Sequence, residues 1–315
     1  MQKIKLGISS CLLGNSVRYD GGHKLDSFLK ETLGQYVDYV PVCPEAECGM
    51  GIPREPMRLE AHSGVIRLLT RTSRVDKTEL MVSWAKKRVA ELAEEDLCGF
   101  IFKSNSPSSG MERVKVYSEK GIPSKTGVGL FAHVFMKHFP LLPVEEEGRL
   151  SDPGLRENFI ERIFTLNRWR DIRHGKSSRK ALIDFHTRHK LLLLSHSPKH
   201  YSEVGRLVAS QKSMNLPILF SRYEALLMEA LKLKTTPKKN ANVLEHMMGY
   251  FKKNLSPAEK VEMMEIIHAY RNGFLPLIVP MTLMGHYVRK YDQPYLKEQI
   301  YLNPHPLEMQ LRNHV

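Results

Sequence analysis

The sequence predicts an α/β N-terminal domain with a mostly parallel, Rossmann-like sheet, followed by an all-α C-terminal domain. Over the first 150 residues, apolar β-branched segments alternate with amphipathic ones, whereas later segments have only helical periodicity. All four cysteines lie in the first half. Charge is also divided unevenly. Residues 1–150 hold 21 Lys and Arg against 19 Asp and Glu, and residues 151–315 hold 26 against 15.

In the first domain, three apolar segments predict strands: Lys3 to Ser10, Val37 to Val42 and Leu97 to Phe102. Helices are expected at Lys24 to Leu33 and Trp84 to Glu95. Such alternation favours a parallel sheet that is covered on both faces. Because ligands of these sheets bind beyond the carboxyl ends of the strands, the residues after each strand are the candidates for chemistry.

We place the domains at 1–150, a helical linker at 151–180 and a basic all-α domain at 181–315. The N-cap Ser256, Pro257 and Glu259 predict the start of a helix. The other helices are expected from their apolar periodicity. The helical segments are Asn158 to Arg170, Ala181 to Ser195, Tyr201 to Gln211, Ser221 to Leu233, Ala241 to Phe251 and Pro257 to Asn272.

The composition, with 42% hydrophobic and 26% charged residues, is that of a globular protein and excludes disordered and disulfide-scaffold classes. No membrane span is expected, because the apolar stretch Asn272 to Val288 is short and contains two prolines. The apolar run before Cys11 is too short for a signal peptide. We therefore expect a cytoplasmic protein, whose clustered thiols serve a metal or catalysis.

Three strand ends are predicted to meet in one crevice. Cys11 follows the first strand, Cys43, Glu45 and Cys48 follow the second, and the serine-rich segment 103–110 follows the third. Several thiolates in one site favour a soft metal or an iron–sulfur cluster. Structural zinc is the alternative, but the paired C-x2-C spacing of such sites is absent.

Cys98 is expected outside this crevice. It begins the third predicted strand, whereas Ser104 follows the other end, roughly 20 Å away. We interpret Cys98 as a small buried apolar residue.

The motifs SSCLLGNSVRYDGGHK, VCPE and FKSNSPSSG, in this order, closely resemble the bacterial thiouracil desulfidase family over about residues 3 to 140. The segments LIDFHTRHKLLLLSHSPKHY and YLNPHPLEMQLRNHV resemble the helical domain that is often fused behind it. The whole chain is similar to the two-domain tRNA 4-thiouridine desulfidases. This resemblance implies a 4Fe-4S cluster with one open iron site, and tRNA as the partner of the helical domain.

Carried over by position, the resemblance makes Cys11 and Cys43 cluster ligands and Glu45 the catalytic carboxylate. Many relatives have a cysteine where this chain has Ser109, so the third ligand departs from the family pattern. Serine is a poor iron ligand beside thiolate. We therefore expect Cys48, in the same loop as Cys43, to be the third ligand.

The implied reaction removes sulfur from thiolated uracil, 4-thiouridine in tRNA above all, and gives uridine and hydrosulfide without net redox change. The open iron binds the thiocarbonyl sulfur, water attacks the carbon and Glu45 moves the protons. Ser104 and Ser106 are expected to position the base or the water, and Lys103 to meet a phosphate or the developing anion. The alternative for the serines is a turn cap before Pro107.

Dense basic residues with Trp169 and Phe185 among them predict a tRNA phosphate track with stacking platforms, although a charge-rich helix is more often simply solvated. Four histidines of the same region are expected to be structural or RNA-facing rather than metal ligands. The predicted RNA-contact residues are Arg168, Arg170, Arg173, Lys176, Arg179, Lys180, Arg188 and Lys190, and the histidines are His186, His189, His196 and His200.

Two other functions remain open from the sequence. One is a desulfidase of free thiouracil, for which the basic domain would have no purpose. The other is a non-catalytic iron–sulfur sensor that binds RNA, which the missing cysteine at Ser109 favours. The sensor and the enzyme differ at Glu45, because only an enzyme needs that carboxylate.

Overall fold

The computed structural model describes residues 3–175, 177–306, 309 and 311–313. The chain divides into two compact units between Asp152 and Pro153. No helix within the described ranges is long and apolar enough to cross a bilayer.

The first unit is an α/β unit with two four-stranded sheets. One sheet has the order β2-β1-β5-β8, and the other has the order β4-β3-β6-β7. The elements, in chain order, are β1 (Ile4–Ser9), β2 (Val37–Val42), β3 (Met57–His62), β4 (Val65–Thr70), α1 (Thr78–Ala93), β5 (Phe100–Phe102), β6 (Val114–Tyr117), β7 (Pro123–Gly127), α2 (Leu130–His138) and β8 (Val144–Glu146).

The first sheet is parallel throughout, as the sequence predicts. Ile4 pairs with Val37 and Gly7 with Phe100, so β1 lies between the two other predicted strands. Its strands are short and mostly buried, and Phe100 and Phe102 pack against α2 at ring-centroid distances of 4.7 to 6.2 Å. Because the strands run in one direction, their carboxyl ends open onto the same edge.

The second sheet is not predicted by the sequence pattern. It pairs β3 with β4 antiparallel, β3 with β6 parallel and β6 with β7 antiparallel. Its strands carry many charged residues, which hide the apolar alternation. Glu60, for example, is 2% exposed because Arg58, Arg74 and His62 all bond its carboxylate.

Two local predictions in the first unit are wrong. The segment from Lys24 to Leu33 forms only a π-helical turn, Phe28–Thr32, followed by a 3₁₀ turn, Leu33–Gln35. The Tyr39 hydroxyl donates to the Leu29 carbonyl at 2.6 Å, so tertiary contacts override the helical pattern there. The third predicted strand begins at Phe100 rather than at Leu97.

The second unit is all-α, as predicted. Its N-cap at Ser256 is confirmed, since the Glu259 amide donates to Ser256 Oγ at 3.3 Å and the Ser256 amide to Glu259 Oε2 at 2.8 Å. The helices are α3 (Pro153–His174), α4 (Arg179–His196), α5 (Pro198–Ala209), α6 (Leu216–Lys232), α7 (Pro237–Met248), α8 (Pro257–Arg271), α9 (Ile278–Lys290) and the short α10 (Pro294–Lys297).

Helix α3 belongs to the core of the second unit, although the sequence analysis assigns all of it to a linker. Trp169 of α3 is fully buried and stacks on Tyr223 with a centroid separation of 4.9 Å. Phe185 of α4 meets the same indole ring edge-on at 5.2 Å. The second compact unit therefore includes residues 153–174.

Candidate functional site

A cavity of about 480 Å³ lies where β1, β2 and β5 end. Its lining includes Cys11 and Cys43, and also Glu45 and the serine-rich loop after β5. The second sheet contributes Arg58 and Tyr117 to the lining. The predicted crevice therefore exists, and the sheet that was not predicted forms part of its wall.

Two thiols line this cavity. Cys11 is buried, and burial raises its pKa to about 11, partly countered by the positive charge of Lys103. Cys43 is half-buried, and burial raises its pKa as well. The Cys43 thiol donates to the Val17 carbonyl at 3.6 Å, and its amide donates to Glu47 at 2.7 Å. Both sulfurs are neutral thiols until a cation or a nearby base removes their protons.

Cys48 and Cys98 do not line the cavity. The Cys48 thiol donates to the Glu45 backbone carbonyl at 3.4 Å, and burial raises its pKa. Cys98 is 2% exposed and its amide donates to the Lys5 carbonyl. The expected role of Cys48 as third ligand stays a prediction.

All four cysteines are free thiols. Within the described chain, no three of their sulfurs lie within 4.8 Å of one another. A single zinc ion with sulfur bonds of about 2.3 Å would draw its thiolates closer together than that. The thiols of the described residues therefore do not form a preformed three-thiolate zinc site.

Glu45 is held at both carboxylate oxygens. Ser108 Oγ donates to Oε1 at 2.7 Å, and Arg54 Nη2 forms an ion pair with Oε2. The Arg54 side chain is only 5% exposed, and its Nη1 donates to the carbonyls of Val17 and Gly51, each at 3.1 Å. These contacts fix the position of the Glu45 carboxylate at the cavity wall.

Lys103, Ser104 and Ser106, the predicted catalytic residues of the third loop, all line the cavity. Glu147, directly after β8, forms an ion pair with Lys103 Nζ and accepts from Ser104 Oγ at 2.7 Å. Ser106 Oγ lies 3.0 Å from Ser108 Oγ. Lys103 and Ser104 are thus tied to Glu147, whereas Ser106 contacts Ser108, which in turn bonds Glu45.

Sequence reasoning missed the contacts that Arg54 and Ser108 make with Glu45, and those that Glu147 makes with Lys103 and Ser104. Ser108 belongs to the loop that the motif FKSNSPSSG marks, but the motif does not tell which serine meets Glu45. Glu147 ends a run of three glutamates after a short apolar segment, which is a usable signal for a strand end. Arg54 has no local signal, because its partners lie in three different turns.

In the second unit, the predicted RNA-contact residues differ in environment. Lys180 and Arg188 are exposed and Lys190 is half-buried. No carboxylate of the described residues lies within 4.0 Å of these three cations. Arg170 is half-buried, and Lys176 lies outside the described residues.

Three other members of the predicted track serve the unit itself. Arg168 Nη1 donates to the Pro304 carbonyl at 3.0 Å. Arg173 pairs with Glu224 at 2.6 Å, and Arg179 bonds the Met214 carbonyl at 2.8 Å. These contacts use part of the hydrogen-bonding capacity of each guanidinium group.

The predicted stacking platforms are wrong, because Trp169 is 0% and Phe185 5% exposed and no base can reach either ring. The four histidines are bonded to protein groups, and among the described residues they form no metal cluster. Their partners are Tyr223 for His186, the Phe185 carbonyl for His189, Glu161 for His196 and Ser197 for His200.

Comparison with known proteins assigns both parts of the chain. A family model described as 2-thiouracil desulfurase matches residues 6–147, and a model described as a protein of unknown function (DUF1722) matches residues 190–306. The protein YbgA of Escherichia coli (strain K12) is 31% identical over 158 residues, which are 50% of this chain and 94% of YbgA. YbbK of Bacillus subtilis (strain 168) is 33% identical over 109 residues, which are 33% of this chain and 71% of YbbK.

Among solved structures, the 4Fe-4S-dependent thiouracil desulfidase TudS is similar, with 27% sequence identity and a TM-score of 0.40. The match covers 48% of this chain and 95% of that one. The family models confirm the resemblance that the motifs indicate. The chain therefore belongs to the 2-thiouracil desulfurase family, with the family's domain at residues 6–147 and a DUF1722 domain at residues 190–306.

Proposed function

We propose that this protein removes the sulfur of 4-thiouridine in tRNA and releases it as hydrosulfide, using an iron–sulfur cluster. One observation carries the proposal: two thiols, Cys11 and Cys43, line the same cavity as Glu45, whose carboxylate is fixed by Arg54 and Ser108. Thiolates and a positioned carboxylate are the groups that desulfuration of a thiocarbonyl needs.

The cluster is supported by the donor set. Two thiols that line one cavity suit a soft metal or an iron–sulfur site. Cys11 and Cys43 would hold the cluster, and Cys48 is the third ligand that the sequence predicts. When bound, an iron–sulfur cluster supplies a thiophilic Lewis acid, which polarises a C=S bond.

The side chains of this chain would carry the protons. Glu45 accepts the proton of the attacking water, and Arg54 and Ser108 hold it in place while it does so. Lys103 lines the same cavity and brings a positive charge to the developing anion. Water replaces sulfide at the carbon, so the base becomes uracil, hydrosulfide leaves and no electrons are transferred.

The proposal of a tRNA substrate is inferred from the charge of the second unit. Residues 151–315 hold 26 basic against 15 acidic residues, and this excess favours a polyanionic partner. Lys180 and Arg188 are exposed cations without a neighbouring carboxylate in the described chain. A desulfidase of free thiouracil would not need such a surface.

The test is an anaerobic turnover assay. The full chain is reconstituted with iron and sulfide, and tRNA containing 4-thiouridine is compared with free thiouracil. We expect loss of the thiouridine absorbance together with stoichiometric hydrosulfide, only with the loaded protein and faster with tRNA. Tight tRNA binding with an intact cluster and no conversion would contradict an enzymatic role. Conversion of the free base alone would contradict the tRNA substrate.

A further inference from the structure

Glu147 contacts two residues of the cavity without lining it. It follows β8 and is not among the described residues of the cavity wall. Its Oε1 accepts from Ser104 Oγ at 2.7 Å and forms an ion pair with Lys103 Nζ, and its Oε2 accepts from the Ser104 amide at 2.7 Å. The Lys103 side chain is 18% exposed and that of Glu147 is 13% exposed, so solvent ions screen this pair little.

The backbone next to these side chains is held by the parallel sheet. The Lys103 amide donates to Ser9 Oγ, at the end of β1, at 2.9 Å. The Glu147 amide donates to the Phe102 carbonyl, at the end of β5, at 3.3 Å. The Lys103 side chain, by contrast, is a flexible four-carbon stem with three rotatable donors. Its direction therefore depends on the groups that its ammonium contacts.

The charges of Lys103 and Glu147 decide the direction of the Ser104 hydroxyl between them. A carboxylate only accepts hydrogen bonds, and an ammonium only donates them. The hydroxyl must therefore donate to Glu147 and accept from Lys103 Nζ, which lies 3.1 Å from Ser104 Oγ. Lys103 Nζ also donates to the Ser104 carbonyl at 3.1 Å. Glu147 thus holds the ammonium in two ways, by the ion pair and by fixing the hydroxyl that accepts from it.

We propose that Glu147 is a positioning residue of the desulfuration, which acts by holding the Lys103 ammonium at the cavity wall. The inference rests on the proposed function, because it takes from there the role of Lys103 beside the developing anion. Lys103 lines the cavity, whereas Glu147 reaches the reaction only through Lys103 and Ser104. No bond forms or breaks at Glu147, and it transfers no proton. Glu45 and Glu147 therefore differ in task, since the first moves protons and the second fixes a charge.

The test is a double-mutant cycle on turnover, with the full chain reconstituted anaerobically with iron and sulfide. Glu147→Gln, Lys103→Met and the double variant are compared with wild type on tRNA containing 4-thiouridine. Gln keeps an oxygen for the Ser104 amide but has no charge for the ammonium. Glu146→Gln is the matched control, because Glu146 is the neighbouring buried glutamate and its carboxylate accepts from the Met111 amide at 2.6 Å. Bound iron is counted in every preparation.

We expect Glu147→Gln to lower the single-turnover rate by about tenfold or more, because small displacements of a catalytic group have effects of that size. KM should stay within about twofold, because the held charge acts on the transition state rather than on substrate binding. In the Lys103→Met background, Glu147→Gln should change the rate no further. Glu146→Gln should react at the wild-type rate, and all variants should hold as much iron as wild type.

A second measurement needs no turnover. Acetylation of the Lys103 amine by acetic anhydride is timed by mass spectrometry in wild type, Glu147→Gln and Glu146→Gln. An amine that is no longer held against a carboxylate should be acetylated faster. The rate at Lys103 should therefore rise in Glu147→Gln and stay at the wild-type value in Glu146→Gln.

A wild-type turnover rate in Glu147→Gln, or an equal loss with and without Lys103, would overturn the inference. The same loss in Glu146→Gln would overturn it as well, because the effect would then belong to the end of β8 in general. Unchanged acetylation beside normal wild-type turnover would overturn the inference alone. If the wild type converts no thiolated substrate, the proposed function fails, and the role of Glu147 in turnover fails with it.

Discussion

Arg54 links the carboxylate of Glu45 to the loop that follows β1. One amino nitrogen of its guanidinium pairs with Glu45, and the other donates to the Val17 carbonyl at 3.1 Å. The same carbonyl accepts from the thiol of Cys43 at 3.6 Å. A single side chain therefore sets the position of the carboxylate relative to a thiol-bearing loop.

Replacing Arg54 by Leu should leave the Glu45 charge at the cavity wall without its partner. We expect the free energy of unfolding of the first unit to fall by about 3 kcal/mol, as when one partner of a buried ion pair is removed. Turnover should fall about a hundredfold, because the carboxylate loses its fixed position. Pulse proteolysis in urea, which follows each unit by its own fragments, measures the stability, and hydrosulfide release measures the turnover.

The double variant Glu45→Leu/Arg54→Leu is the control for stability. It leaves no unpaired charge, so it should be more stable than Arg54→Leu alone. The single variant Glu45→Leu completes the comparison. If the stability losses of Glu45→Leu and Arg54→Leu sum to the loss of the double variant, the contact between the two side chains contributes nothing to stability.

Replacing Glu45 by Gln should separate an enzyme from a sensor. Gln keeps an oxygen for the Ser108 hydroxyl but cannot accept a proton from water. We expect turnover to fall by at least about a hundredfold, the usual contribution of a general base. Single-turnover hydrosulfide release, iron content and tRNA affinity are measured on the same preparation. Unchanged iron and tRNA binding is the control, and unchanged turnover would exclude Glu45 as the proton carrier.

The parallel sheet and the candidate residues at its edge were predictable because both depend on short-range signals. A strand such as Val37–Val42 is an apolar segment in the sequence, and the residues behind it, Cys43 and Glu45, must lie at the sheet edge. Predicting the second sheet was harder, because Glu60 is a charged residue that becomes buried only through its arginine partners.

The connections within the site were not predictable. Ser108 and Glu45 are 63 positions apart, and no local pattern tells that Ser108 rather than Ser106 reaches the carboxylate. The role of Trp169 was misjudged for a related reason. In the sequence, an aromatic residue among arginines looks the same whether it lies on an RNA-binding surface or in a core that the arginines surround. Only the contact of Trp169 with Tyr223 decides between these two positions.

A buried ionic network in the second unit gives a prediction about pH. Arg312 donates to Glu157 and to Glu161, each at 2.9 Å. Burial raises the pKa of Glu157, and the charge of Glu161 adds to this. Burial would also raise the pKa of Glu161, but the hydrogen bond from His196 and the charge of Arg312 hold it below its usual range.

The two glutamates should therefore respond to pH in opposite ways. Because the pKa of Glu157 is raised on folding, its stabilising contribution is present below the usual value of 4.5 and is lost as pH rises through the folded value. We expect Glu157→Gln to gain stability relative to wild type between about pH 5 and about pH 8, by about 1.4 kcal/mol for each unit by which the pKa is raised. Pulse proteolysis of the second unit at both pH values measures the difference.

Glu161→Gln is the matched variant, one helical turn away on α3. Because the pKa of Glu161 is lowered on folding, its full stabilising contribution is present above the usual pKa of 4.5. The stability loss of Glu161→Gln should therefore be large and constant over the same pH interval. A Glu157→Gln difference that does not change with pH would show that Glu157 is ionised in the folded protein throughout.

Removal of Lys180, Arg188 and Lys190 should weaken tRNA binding without unfolding the second unit. Each cation that neutralises a phosphate makes the negative slope of log affinity against log salt steeper by about one. The slope of the triple alanine variant should therefore be shallower than that of the wild type by about three. Binding is measured by fluorescence anisotropy at several salt concentrations, with thiolated and unmodified tRNA, and the loss should be equal for both. Arg179→Ala is the control, because Arg179 bonds the Met214 carbonyl and should affect stability rather than the slope. An unchanged slope in the triple variant would place the RNA contact on another surface of the protein.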